Sequence, residues 1–215
     1  MSVIHHETTR SPMTQSDHAA RLTAEIIAIN RAFLALLSDP LVAGTGGVLG
    51  LDAALTSRIA ALEPDSRDRL ATVPVSLADF ALLSCRESES WIADQVADDA
   101  IPREWHDRVS AFSNRLLATL WHFSRVDNGL VGFCMGLDRD AAAGLAALSF
   151  TELSREATRV CSSLRARHAD HPSCWPDLVR FARSDADERF SAARLGLIPL
   201  TVARMNSGVG GSAAR

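Results

Sequence analysis

Apolar positions along the chain fall into two long helical stripes, each followed by a bend and shorter elements. Leu22, Ile26, Ile29, Phe33, Leu36 and Leu37 recur at three- and four-residue steps, which predicts a helix from about Ser16 or Asp17 to about Ser38. Ile27 and Leu34 widen that stripe, so more than one face is expected to be buried. Pro40, Gly44, Gly46 and Gly47 end it. Trp105, Val109, Phe112, Leu116, Leu120 and Phe123 predict a second helix from Arg103 to about Arg125, entered through Pro102 and stopped by Asn128-Gly129.

Between and after the stripes come shorter pieces. Asp52 and Asp138 stand where a short side-chain oxygen would cap a helix, over residues 53–62 and over an alanine-rich stretch. Asp65 is a candidate cap for a helix reaching Ala71, and residues 73–83 around Pro74 read as extended. Residues 88–96, with Trp91, read as helical. Ser149 and Glu152 spell a capping box for residues 152–163. Pro172 or Ser173 opens a helix holding Trp175, and residues 184–193 add another. The polar start, 1–15, and the glycine-rich end, 207–215, are expected to be disordered. The class expected is all-α.

The order of these elements repeats. Val48-Leu49-Gly50-Leu51-Asp52 returns as Cys134-Met135-Gly136-Leu137-Asp138, 86 residues later, and Ala60-Ala61-Leu62 returns as Ala146-Ala147-Leu148 at the same offset. A fixed, gap-free offset marks an internal repeat. Two units follow, residues 16–99 and 100–183, with a C-terminal helix and docking segment over 184–206. Each long helix has an apolar face that needs a partner, and each copy can supply the other.

Charge divides the same way. Residues 1–101 hold 7 Arg against 14 acids, and residues 102–215 hold 15 Arg against 12, with no lysine anywhere. An acidic front and a mildly basic back argue against nucleic-acid binding driven by electrostatics alone. No apolar run approaches the ~18 residues that cross a bilayer, and the N-terminus lacks the apolar core of a secretory signal. A cytoplasmic protein without membrane partners is expected, with Cys85, Cys134 and Cys161 as small buried groups rather than a disulfide framework.

Catalytic signatures are missing. No Ser-His-Asp order, metalloprotease motif or glycine-rich loop followed by lysine occurs, and Gly44-Thr45-Gly46-Gly47 is not preceded by a strand. His122 sits on an apolar helix, where a boundary histidine is commoner than a general base. His168, His171 and Cys174 form the single set with metal-ligand spacing. Pro172 inside the run and flanking Arg165 and Arg167 speak against a zinc site. No cofactor and no enzymatic activity are expected, a small helical metal-dependent enzyme being the least favoured alternative.

The ordered series of motifs resembles FlhD, a subunit of a bacterial flagellar transcription regulator. The second copy carries the likeness best, in Met135-Gly136-Leu137-Asp138, Leu145-Ala146-Ala147-Leu148-Ser149 and Leu164-Arg165-Ala166-Arg167 through Asp170-His171 to Trp175. The first copy shares Ile29-Asn30, Leu49-Gly50-Leu51-Asp52 and Ala60-Ala61-Leu62. The resemblance implies two FlhD-like units fused as a pseudo-dimer. It also implies a transcriptional regulator that binds an FlhC-like subunit, as activator component or as anti-activator. Where the family offers a Phe-Arg pair at the bend, the chain has Gly47-Val48 and Phe133-Cys134, and the family's late Asn falls at Val160. Direct base readout is thereby disfavoured, and DNA contact is expected to be indirect or weak.

A second function class stays open beside it: a stand-alone DNA-binding regulator using Arg155, Arg159, Arg165 and Arg167. Self-association is open as well. The expected contact region is the basic second half, Arg155, Arg159, Arg165, Arg167, Arg180, Arg183 and Arg189, continued by Leu195, Leu197, Ile198 and Leu200. If that tail only docks partners, deleting residues 184–215 leaves a folded protein.

Overall fold

The computed structural model describes residues 15–42, 47–80, 102–184 and 187–207. Among them the chain is mostly helical, with two small two-stranded sheets added to the expected helices. The expected helix at 88–96 with Trp91, Cys85, and the tails 1–14 and 208–215 lie outside the described residues.

Helix α1 (Gln15–Leu37) buries every residue of its predicted stripe, and Leu34 besides, because it packs on two sides. A 3-10 turn (Pro40–Val42) leads to the hairpin β1 (Gly47–Val48) and β2 (Leu51–Asp52). Asp52 then caps α2 (Ala53–Ala60), its carboxylate accepting from the Leu55 amide at 2.7 Å. Helix α3 (Pro64–Ala71) is not capped by Asp65 as expected. Pro64 occupies its first turn, where a missing N–H costs nothing, and Asp65 sits inside that turn, where its charge suits the helix dipole. Strand β3 (Ala78–Phe80) falls within the stretch expected to be extended.

The second half opens with α4 (Arg103–Ser124), which buries Trp105, Phe112, Leu116, Leu120 and Phe123. Asn128-Gly129 does not form the expected bend. Asp127 accepts from the Leu130 amide at 2.9 Å and starts a further helix, α5 (Asn128–Met135). Gly136 closes α5 at φ +65, a left-handed position that disfavours a side chain. Asp138 caps α6 (Arg139–Ala147) through the Ala141 amide at 2.7 Å. The Ser149–Glu152 box caps α7 (Phe150–Cys161), with Ser149 N–H donating to Glu152 at 2.8 Å. Strand β4 (Leu164–Ala166), α8 (Cys174–Ala182) and α9 (Asp187–Ser207) follow. Helix α9 runs well beyond the expected end at 193, passing through Pro199.

The two long helices pack on each other, as their stripes require. The Phe33 ring on α1 lies 5.5 Å from that of Phe112 on α4 and 6.4 Å from that of Trp175 on α8. Burying each such side chain contributes about 1.5–3 kcal/mol before entropy. Arg108 on α4 donates to the buried Asp39 just past α1 at 2.5 Å. Helix α8, from the second half, covers α2 and α3 of the first. The 86-residue offset pairs α1 with α4, α2 with α6, α3 with α7 and β3 with β4. The halves differ at the hairpin, which stands where the second half has α5.

Strands β3 and β4 pair antiparallel with Ala78 opposite Ala166, Asp79 opposite Arg165 and Phe80 opposite Leu164. Repeat-equivalent strands thus pair with each other, in the register a two-fold axis would impose.

Candidate partner-binding face

The arginines expected to form one contact region have separate fates. Arg167 is buried at 3% exposure and is not a surface contact. Its Nε donates to the Ser76 carbonyl at 2.6 Å, and Nη2 donates to the Ala78 carbonyl at 3.2 Å and to that of Met135. The nearest acid is Asp79, also buried, 3.9 Å away. Burial holds the Arg167 pKa below the usual guanidinium range, offset in part by Asp79. A guanidinium still stays charged at neutral pH. A Cβ at Gly136 would overlap this guanidinium, which gives the repeat's glycine a packing role beside its backbone one.

Arg165 is half-buried and stands 3.9 Å from the other oxygen of Asp79. Arg183 is exposed, yet it donates to the carbonyls of Arg58 at 2.9 Å and Ala61 at 3.3 Å, closing the C-terminal end of α2. Arg180 pairs with Asp177 at 2.7 Å and lies over the Phe181 ring. Arg159 pairs with Glu156 at 2.8 Å, while Arg155 and Arg189 are exposed. Of the four arginines expected to hold DNA, Arg167 is spent inside the fold and Arg165 lies beside a buried acid.

Asp79 was not legible as a special position, and Asn30 only as part of the motif series, though each is a polar residue set in an apolar run. Asn30 is fully buried, and its amide donates to the carbonyls of Ala71 at 3.2 Å and Val75 at 3.0 Å, while its oxygen accepts from the Leu77 amide at 2.8 Å. It fixes the loop that delivers β3.

The metal-spaced residues do not converge. Among the described residues no group of three His, Cys, Asp or Glu side chains is placed to hold a metal ion. His168 is buried with φ +54, its Nε2 3.5 Å from the Thr201 hydroxyl, and burial together with Arg167 lowers its pKa to about 4. His171 is half-buried, and the buried Cys174 thiol is pushed up to about 12 by burial first and by Asp177 and Asp170 after it. A thiol so raised is a poor ligand or nucleophile. Cys134 and Cys161 are likewise buried and raised to about 11, as befits the small apolar groups expected.

The surface that does stand out lies on α9. Leu195, Pro199 and Val202 are exposed at helical spacing and form an outward stripe flanked by the half-buried Ile198, with Leu195 58% and Val202 38% exposed. The opposite side of the same helix buries Phe190, Leu197 and Thr201. Leu197 is therefore core and not part of a docking edge, and Leu200 is half-buried. Arg69 on α3 holds the start of α9, donating to Asp187 at 2.6 Å and lying over the Phe190 ring. Helix α9 thus buries part of the core as well as presenting an outward face.

Among the described residues, no helix is long and apolar enough to cross a membrane. The fold and this face describe a helical protein with a two-sided terminal helix. Comparison with family models, curated proteins and solved structures finds no match.

Proposed function

We propose that the chain is a non-catalytic regulatory protein that binds a helical partner through the outward face of α9. The observation that carries this reading is the apolar stripe from Leu195 to Val202 on a helix whose other side is already core. A helix in this position with apolar residues on both sides has one surface left for a partner. The motif series quoted above supports an FlhD-like role, with an FlhC-like subunit as the partner. The symmetric β3–β4 joint supports the fused-dimer form of that role. The fates of Arg165 and Arg167 weigh against the DNA-binding alternative.

Co-purification with FlhC-like subunits encoded in the same genome tests the proposal. The full chain should capture such a subunit, and Leu195→Ser combined with Val202→Ser should lose it without loss of helical circular dichroism. Absence of capture by the unaltered chain, or capture undiminished in the double variant, would overturn it.

A further inference from the structure

Helices α8 and α9 do not close on each other completely. A groove of about 320 Å³ opens between them, within the ~300–1,000 Å³ range of small-molecule sites. Leu178 and Phe181 form one apolar wall, and Leu197 and Leu200 the other. The polar end is made by His171, Ser173, Cys174 and Asp177.

Two of the polar groups at this groove can accept from a ligand: His171 Nδ1 and the Asp177 carboxylate. His171 Nδ1 is buried without a hydrogen-bond partner, and it accepts in the tautomer that carries the ring proton on Nε2. Asp177 is half-buried and pairs at 2.7 Å with Arg180, which is exposed and lies outside the lining. No arginine lines the groove. The Cys174 thiol is raised first by burial and then by the charges of Asp177 and Asp170. An apolar body would fill the walls, and a donor or a positive charge would complement His171 Nδ1 and the Asp177 carboxylate.

We propose that the α8–α9 groove binds a small primary amine carrying an apolar or aromatic body, with the ammonium at the His171–Asp177 end. A carboxylate ligand would meet the Asp177 charge at close range. The site is separate from the outward stripe of α9, although Pro199 borders both, and it stands or falls independently of the partner.

Ligand-observed NMR on the full chain at neutral pH tests this with three probes of matched body: 2-phenylethylamine, 2-phenylethanol and 3-phenylpropionate. The amine should bind more tightly than the alcohol, and the acid should not bind. A Cβ at Gly196, on the groove wall, meets nothing within 4 Å, so Gly196→Phe adds bulk there without a backbone clash. That variant should keep its helical circular dichroism and lose amine binding. Asp177→Asn keeps the shape and should weaken the amine by about tenfold, the loss of one charge-assisted contact. Failure of the amine to bind, equal or tighter binding of the alcohol or the acid, or binding that survives Gly196→Phe would each overturn the proposal.

Discussion

Asp79 and Arg165 face each other across the β3–β4 pair and lie 86 residues apart, the offset of the internal repeat. A residue paired with its own repeat equivalent marks the place where a two-fold relation between the halves passes through the chain. Arg167 is the neighbour of this joint, and it ties Ser76 and Ala78 of the first half to Met135 of the second.

Replacing Arg167 with alanine should therefore be among the costliest single changes. It leaves the Ser76, Ala78 and Met135 carbonyls without their donor and removes one of the two guanidiniums facing the buried Asp79, a class of change that costs about 3–5 kcal/mol. Urea denaturation should show the unfolding free energy falling by that amount, as a lower midpoint with the slope conserved. A variant as stable as the parent would show that the buried guanidinium is not needed.

Asn30→Leu should destabilise by about 2–4 kcal/mol, since the Ala71 and Val75 carbonyls and the Leu77 amide would be left buried without their partner. The equivalent position in the second half is Leu116, buried in an apolar setting, so the effect belongs to the 71–77 loop alone. Amide exchange confined to that loop, read on the variant, should rise before the rest of the protein opens.

His168 links stability to pH. Its folded pKa of about 4 lies below the ordinary 6.5, so the unfolded chain binds the extra proton between those values. The contribution is full above pH 6.5 and is lost progressively as the pH falls toward 4, by on the order of 3 kcal/mol at most. His168→Asn, a residue that tolerates the left-handed backbone at φ +54, should flatten the stability profile between pH 4.5 and 6.5. An unchanged slope in that window would sink this assignment.

The two repeat caps offer an additive pair. Asp52→Ala and Asp138→Ala should each cost about 1 kcal/mol, and the double variant should cost their sum, because α2 and α6 are separate helices with no shared cap contact. Thermal unfolding of the three variants measures it, and a double variant no worse than either single one would show that the caps are coupled.

Local chemistry decided what could be read along the chain. The stripes from Leu22 to Leu37 and from Trp105 to Phe123 are spaced by the helix itself, and all but one of those residues, the half-buried Val109, are buried. Caps at Asp52, Asp138 and Ser149–Glu152 work over three residues, so their sequence signal is complete on its own. The 86-residue offset likewise needs no coordinates. What the tertiary structure alone decided is how groups distant in sequence meet. Arg167 reads as one more surface cation until residues 76, 78 and 135 are brought around it. Leu195 and Leu197 are chemically alike and two apart, yet one faces solvent and the other the core. Helical spacing separates their directions by about 200°, but only the packing of α8 and α5 against α9 determines which direction is inside.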